Sequence, residues 1–484
     1  MWSFAGTRRN NPVSAITHIP ESERIPLFQK LMFSAGINMD YAATGLLTGV
    51  LWMPYFNIGM GISPATLGVV LMILLAWNAF LDPVIGNLSD NVHTPWGRRR
   101  PFMAAGAVLT GCVYLMFWHM PSGLQDSGKA LYLVVVGIVF FTSYSLWSMP
   151  YYGLQLELTP NYDERTRLAG WMAFFGKASS LAGGWVLAIV TGKFFINPAT
   201  GKGDILIGMK SGCWVIAGAI IIFGLLPAIF VRERYHYTEK KIPDPLWNSV
   251  KESFQCKPLW SLIGISFFLV LGSVSVGSLG QYLSIYYIFD GDLPAASIVG
   301  GWKATVLAVT GILSIPVWAW LGERFDKKVM VISMLIFSMV GHLMNFVCMR
   351  PDAPYLQIIP AIFESGAIAA VWLFIPSMKA DTADYDELRT TRRREGSINS
   401  FYSWFIKASL TCAMGLGGLV LEISGFTSKH AHQPPDVLNR MFGYYLAVPI
   451  GIWGVALIFA IFYPLSRSRM ARIRFELEMR RGRI

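Results

Sequence analysis

Long apolar stretches separated by short polar connections run through most of the chain. A helix needs about 20 mostly apolar residues to cross a bilayer, and twelve stretches of this kind occur. They lie at residues 31–56, 66–88, 102–119, 130–153, 168–192, 212–231, 259–287, 297–320, 329–348, 357–378, 397–424 and 441–465. The pattern predicts an all-α integral membrane protein with twelve transmembrane helices.

The charge distribution predicts the orientation of these helices. Charged residues make up 14% of the 484 positions, whereas soluble domains average about 25%. Of the 40 Lys and Arg residues, 30 lie in the two tails and in alternate connections, and 7 lie in the other connections. Because cytoplasmic loops carry the excess of basic residues, we expect both termini to be cytoplasmic in a cell (inner) membrane. The net charge of +11 thus reflects topology and does not indicate nucleic-acid binding.

The longest charged connection divides the twelve predicted spans into two sets of six. Short stretches echo each other at matching places in the two sets: 83–90 resembles 316–323, and 162–165 resembles 385–389. Two parallel halves of this kind place a substrate site between them, near the bilayer midplane. The predicted organisation is a cytoplasmic tail (1–26), a first half (27–231), a central cytoplasmic loop (232–258), a second half (259–466) and a basic cytoplasmic tail (467–484).

A lone carboxylate, Asp82, lies inside the second apolar stretch and is followed by Pro83. Charged residues at that depth are costly and usually face a bundle interior or a water-filled cavity. Asn78 lies one turn earlier on the same helix face. One carboxylate with one amide is a poor sodium site, because that hard cation prefers several oxygen ligands, but it is sufficient to bind and release a proton. The alternative is that Asp82 serves only as a structural partner of Lys407, which lies about ten residues into its own span.

Two further polar faces are candidates for substrate contact. Asp40 begins a stripe with Thr44 and Thr48, and its carboxylate could accept strong hydrogen bonds from substrate hydroxyls. Ser145, Ser148 and Tyr152 share one face of the fourth predicted span. Hydrogen-bonded packing between membrane helices is the alternative for these residues. Lys177 and Glu364 are additional intramembrane candidates, and the sequence suggests that His342, alone in its span, is a packing residue.

Three motifs resemble those of the glycoside–pentoside–hexuronide:cation symporters of the major facilitator superfamily. The first combines Asp82-Pro-Val-Ile-Gly86 with Gly97-Arg-Arg-Arg-Pro101, and the second runs from Leu158 to Arg167. The third runs from Ala380 to Gly396, and Lys407 falls where this family carries a lysine in helix 11. The resemblance covers most of the chain and implies cation-coupled uptake of a sugar or glycoside by alternating access.

The resemblance also assigns expected roles to individual residues. Asp40, Ser148, Tyr152, Trp372 and Lys407 match substrate-binding positions, although the family has an aspartate where Ser148 stands. Asp82, Asn78 and Ser145 match the cation site, again with an aspartate in the family at the position of Asn78. Because these departures remove two acids, we expect proton coupling in preference to sodium coupling. Lys177 lies one turn beyond the usual position of a helix-5 arginine.

The charged residues of the connections are expected to act as gates. We expect ion pairs at the cytoplasmic surface that break and re-form as the two halves rock. The residues concerned are Asp90, Arg98, Arg99, Arg100, Glu164, Arg165, Asp386 and Arg393. The alternative is that they only determine topology.

Several classes of function remain for comparison. A facilitator, or a carrier of another solute such as an organic anion or a lipid-like molecule, is the first alternative to symport, and a non-transporting membrane sensor is the second. An intramembrane enzyme is not expected, because the sequence contains neither HExxH nor GxSxG. The expected partners are therefore a small-molecule substrate, a coupling cation and the lipid bilayer. No cofactor or metal is predicted, and we expect a monomer.

Overall fold

The computed structural model describes residues 24–92, 94–159, 162–198, 201–233, 253–391, 395–427 and 432–480, and within these ranges it is helical without a β-strand. In chain order the α-helices are α1 Leu27–Ala35, α2 Ile37–Asp40, α3 Pro64–Asn91, α4 Arg100–Trp118, α5 Asp126–Glu157, α6 Tyr162–Val190, α7 Ile205–Phe230, α8 Lys257–Leu283, α9 Leu293–Arg324, α10 Lys327–Leu343, α11 Asn345–Cys348, α12 Ile359–Leu373, α13 Ile375–Thr390, α14 Glu395–Ile423, α15 Pro435–Ile461 and α16 Arg467–Arg480.

Ten of the described helices are each long and apolar enough to cross a membrane. The other two predicted spans, the first and the tenth, are present but divided into segments. The first continues from α2 through the π-helices Tyr41–Leu51 and Met53–Gly59, and the tenth is α12 and α13, joined at Phe374. The twelve-span architecture predicted from hydropathy is therefore confirmed, although two spans are not regular helices.

The start of the first span packs closely against α5 and α7. At Gly36, between α1 and α2, a Cβ atom would lie 2.8 Å from the ring of Tyr151 and 3.2 Å from Pro227. A proline, Pro54, lies near the start of the second π-helix. Asp40 lies directly before the first π-helix. Turns of this kind widen the helix and often occur at functional sites.

The second span shows how the sequence sets the helix ends. Ser63 caps α3 by accepting a 3.2 Å hydrogen bond from the Thr66 amide, and Pro64 occupies the first position, where a missing N–H costs nothing. The helix then continues past the internal Pro83 as far as Asn91. Asn78 and Asp82 consequently lie within one continuous helix.

The two halves, α1 to α7 and α8 to α15, contact each other tightly at the end of the bundle opposite the tails, which we call the far end. A Cβ at Gly418 of α14 would lie 2.3 Å from the carbonyl oxygen of Pro64, so only glycine permits this approach. Hydrogen bonds across the same end join Tyr282 to Asn57 at 2.7 Å and Trp185 to Thr305 at 3.0 Å. The bundle is therefore closed at the far end.

Helical structure extends further at the tail end of the bundle than the sequence indicated. The predicted connection at 379–396 is helical as far as Thr390, because α13 continues past the apolar stretch. The basic tail forms α16, in which Met470, Ile473 and Leu477 are buried. Arg480 donates to the carbonyl oxygen of Leu388 at 3.0 Å, so α16 is fastened to α13.

Candidate functional site

Helix α5 organises the candidate site, because it supplies side chains to two carboxylates at once. The predicted face of Ser145, Ser148 and Tyr152 is confirmed: the two serines are buried and Tyr152 is half-buried. Tyr144 is buried beside them. The first carboxylate belongs to Asp40 of the first span and the second to Asp82 of α3.

Asp40 accepts hydrogen bonds from two tyrosines of α5. The Tyr144 hydroxyl donates to one carboxylate oxygen, and the Tyr152 hydroxyl donates to the other at 3.1 Å. Sequence reasoning missed Tyr144, although its spacing of eight from Tyr152 is typical of one helix face. The hydroxyls of Thr44 and Thr48 donate instead to the carbonyl oxygens of Asp40 and Thr44, one turn earlier in the same span.

Asp82 lies at the centre of a polar cluster that joins three helices. Ser145 donates to the Asp82 Oδ1 atom at 2.9 Å, and Asn78 lies 3.4 Å from the same atom. Asn78 also donates to Ser145 at 2.7 Å. Lys407 of α14 donates to the Asp82 Oδ2 atom. The three residues predicted for the cation site therefore meet in space, and Lys407, predicted as a substrate-binding residue, reaches them from the opposite half.

The cluster around Asp82 is close to neutral in total charge. One carboxylate and one ammonium form a direct pair, and the two remaining partners are neutral. A buried ion pair of this kind gains little net stability, because desolvation offsets the attraction. The Asp82 carboxylate thus already has a cationic partner in this conformation.

The basic loop before α4 contacts two glutamates among the described residues. The side chains of Arg98 and Arg99 pair with Glu157, at the end of α5, at 2.8 and 2.9 Å. The backbone amides of Arg98, Arg99 and Arg100 donate to the carboxylate of Glu233 at 2.9, 2.8 and 3.1 Å. The pairs with Glu157 lie within the first half, whereas Glu233 belongs to the central connection.

The other predicted gate residues likewise have partners in their own half. Glu164 is fully buried and pairs with Lys30 at 2.6 Å, and the side chain of Arg165 donates to the carbonyl oxygen of Thr159. In the second half, Asp386 pairs with Arg389 at 3.0 Å. These pairs hold the tail end of each half together, and a gating role for them stays a prediction.

Three predicted residues cannot be placed in these networks. Arg393 lies outside the described residues, and only the backbone is described for Asp90 and Trp372. Ser148 is 1% exposed and lies on α5 between Ser145 and Tyr152.

Comparison with known proteins agrees with this arrangement. The family described as MFS/sugar transport protein matches residues 33–467. The chain is 27% identical to an uncharacterized symporter, sll1374, of Synechocystis, covering 95% of this chain and 98% of the relative. It is 24% identical to the isoprimeverose transporter of Lactiplantibacillus pentosus, covering 93% and 90%. A bacterial homolog of the human lysosomal transporter Spinster, solved inward-facing and unoccupied, superposes with a TM-score of 0.63 at 14% identity, covering 94% of this chain and 98% of that one.

The fold and the membrane-embedded polar site define a secondary transporter with the major-facilitator architecture. The chain belongs to the glycoside–pentoside–hexuronide:cation symporter family, as its motifs predicted. It is thus a multi-pass membrane transporter and not an enzyme.

Proposed function

We propose that the protein carries out proton-coupled symport of a sugar or glycoside by alternating access. The observation that carries this proposal is the convergence of Asn78, Ser145 and Lys407 on Asp82, across the interface between the halves. In this cluster Asp82 is the only acid, and its partner cation comes from the half that has to move.

The proposed coupling cycle exchanges a proton for Lys407 on the Asp82 carboxylate. A proton entering from outside neutralises Asp82 and releases the Lys407 ammonium. Substrate binds, the halves rock, and Lys407 returns to Asp82 while the proton leaves to the inside. A sodium ion would need several oxygen ligands, and one oxygen of the single carboxylate is taken by Lys407. A coupling proton therefore needs only the Asp82 carboxylate, whereas a sodium ion would need additional oxygen ligands.

Asp40 is proposed to bind the substrate. Its carboxylate is held by Tyr144 and Tyr152, and each carboxylate oxygen has a second lone pair that can accept a hydrogen bond from a sugar hydroxyl. Hydrogen bonds to a charged acceptor are the strong ones. The tyrosine rings could also stack on the apolar face of a sugar ring. Tyr144 and Ser145 are adjacent on α5, so substrate and proton sites would be neighbours.

The closed far end supports alternating access. Contacts between the halves at Gly418, Asn57 and Trp185 lie at that end. If the tails are cytoplasmic, as the distribution of basic residues predicts, the present conformation faces the cytoplasm. Transport then requires a second conformation in which the far-end contacts separate. We propose that a single chain is sufficient for this cycle.

Replacement of Asp82 by asparagine tests the coupling. The variant imitates a permanently protonated Asp82, so in proteoliposomes it should lose uphill accumulation driven by a pH gradient. It should keep counterflow exchange of labelled sugar, because exchange needs binding and rocking but no net proton release. Glu422→Gln, which alters an exposed carboxylate at the far end of α14, is the matched control and should behave as wild type.

Two outcomes would contradict the coupling proposal. Accumulation driven by a sodium gradient at equal pH on both sides would exclude the proton as the coupling ion. Full pH-driven accumulation by Asp82→Asn would remove Asp82 from the mechanism.

Counterflow of any solute by the wild type would exclude the non-transporting sensor.

A second candidate, transport of an organic anion, is favoured by Lys177. This half-buried lysine of α6 faces α9, with its Nζ atom 3.8 Å from where a Cβ on Gly311 would lie. Within the described residues no ion pair of Lys177 is found, so its ammonium is available to a carboxylate or phosphate. Competition by uronic acids stronger than that by neutral sugars, and lost in Lys177→Gln, would favour this candidate.

A further inference from the structure

A second buried carboxylate lies in the second half, away from the residues of the proposed transport site. Glu364 of α12 is 6% exposed, and its Oε1 atom lies 3.1 Å from Nδ1 of His342. The side chain of Asn345 donates to the same oxygen at 3.2 Å. His342, which looks solitary in the sequence of its span, therefore has a buried carboxylate neighbour. A histidine and a carboxylate that lie 22 positions apart in sequence form a direct pair.

The hydrogen bonds of His342 define where hydrogens must lie. Its Nε2 atom is 2.8 Å from the carbonyl oxygen of Tyr445 on α15. A carbonyl oxygen can only accept, so Nε2 carries a hydrogen. A neutral imidazole has a single N–H, which would leave Nδ1 as an acceptor facing a carboxylate oxygen of Glu364. Two acceptors at 3.1 Å repel each other, so one additional hydrogen must lie between Nδ1 and Oε1.

The groups around the pair come from three further helices, α9, α11 and α15. Lys303 of α9 places its Nζ atom 3.9 Å from the Oε2 atom of Glu364. The rings of Tyr445 and Trp453 on α15 pack edge-on against the imidazole, with centroids 4.7 and 5.7 Å away. The Tyr445 hydroxyl is buried near the pair. One carboxylate, one ammonium, one imidazole and one phenol therefore decide how many protons the site holds.

We propose that His342 and Glu364 form a buried proton-binding site that is separate from Asp82. The proton bound there links helix α10 both to helix α12 and to helix α15. Removing that proton would turn one of the two His342 contacts into a repulsive pair of acceptors. Lys303 links the site to the interface between the halves, because its neighbours Ala304 and Thr305 contact Gly184 and Trp185 of α6. The site is thus positioned to stabilise the closed far end. The inference rests on these contacts and does not depend on the transported substrate.

The protonation state of the pair can be measured directly. Protein labelled with 15N-histidine in nanodiscs gives separate signals for singly and doubly protonated imidazoles, and a spectrum of His342→Asn identifies the His342 signal among the seven histidines. A protonated Glu364 would show a carboxyl C=O infrared band that disappears in Glu364→Gln. At neutral pH we expect either a doubly protonated His342 or a protonated Glu364. A singly protonated His342 beside an ionised Glu364 would overturn the proposal.

Glu364→Gln provides a second test with a defined hydrogen-bond reason. The glutamine amide can donate to Nδ1, so a neutral His342 with its hydrogen on Nε2 would satisfy both of its partners. We therefore expect the His342 signal of this variant to be that of the singly protonated ring. A doubly protonated His342 in Glu364→Gln would show that the carboxylate does not retain the proton, which contradicts the proposal.

The exposed pair of His432 and Asp290, whose atoms lie 2.8 Å apart, is the matched control. Both side chains are open to solvent, at 71% and 76% exposure. Asp290→Asn should leave the His342 signal unchanged. A change of the His342 signal in this control as large as in Glu364→Gln would mean that the signal does not report on the buried pair, and the proposal would fall.

Discussion

Two buried carboxylates in this protein have similar partners but different positions in the fold. The side-chain amide of Asn78 lies beside Asp82, and that of Asn345 donates to Glu364. Each carboxylate also has a lysine within ion-pair distance. The lysine of Asp82 comes from the opposite half, whereas Lys303 and Glu364 belong to the same half. The difference lies in which contacts must break when the halves separate.

An ion pair across the interface can be part of a transport cycle, while one within a half can persist through it. In the proposed cycle the pair of Asp82 and Lys407 separates when Asp82 is protonated, so proton binding and rocking can be linked. Buried ion pairs add little net stability, which suggests that the pair at the interface serves the transition between conformations. The pair of His342 and Glu364 can keep its proton while its half moves as a unit. Four predictions test this contrast.

The largest effect is expected from removal of Lys407. In Lys407→Ala no cation is present to displace the proton from Asp82, so uphill accumulation should be lost while counterflow exchange remains. Lys303→Ala is the parallel change in the pair that lies within one half, and it should keep accumulation near the wild-type level. Both are measured in proteoliposomes with an imposed pH gradient. Equal loss of accumulation in the two variants would show that an ion pair across the interface does not differ in function from one within a half.

The next effect concerns the substrate. Asp40→Asn removes a charged acceptor, and a hydrogen bond to a charged group contributes about 1.5–3 kcal/mol, which corresponds to roughly ten- to hundredfold in affinity. Substrate binding to the purified protein checks this, with expression level measured in parallel. Asp126→Asn, an exposed acid at the start of α5 with a side chain 79% exposed, is the control. Unchanged affinity in Asp40→Asn would assign Asp40 to helix packing.

A smaller effect is expected from the tyrosine that positions Asp40. Tyr152→Phe removes one hydroxyl donor at 3.1 Å, a change of about 1 kcal/mol, or roughly fivefold in substrate affinity. Tyr151→Phe is the matched control, because its hydroxyl donates to the carbonyl oxygen of Phe33 at 2.9 Å instead. If the two variants weaken substrate binding equally, the contact with Asp40 is not the cause.

The smallest effect on transport is expected from single cysteines that report sidedness. In a chain without its native cysteines, cysteine at Thr390 or Ser468 should react only from the cytoplasm, and cysteine at Thr427 only from outside, with transport retained. The measurement is labelling of intact cells with an impermeant maleimide. Reaction of the cysteine at Thr390 from outside would contradict the orientation from which proton entry is argued.

The sequence by itself determined the fold class, because hydropathy and charge are properties of single residues summed along the chain. Twelve apolar stretches could satisfy their backbone in lipid only as helices, and the motifs of the connections identified the family. The spacing of Asn78 and Asp82, and of Ser145 and Tyr152, also predicted correctly which residues share a helix face. These relations are local and need no knowledge of neighbouring helices.

Only the tertiary structure decided which partner each charge has. Arg98 and Arg99 meet Glu157, 58 or 59 positions away, and Lys407 meets Asp82 across 325 positions. The π-helical form of the first span is a feature that no local pattern indicated. His342 looked solitary because its partners, Glu364 and Tyr445, lie on other helices. Hydrogen bonds and ion pairs require atoms within about 3–4 Å, and the folded arrangement of the helices alone sets those distances.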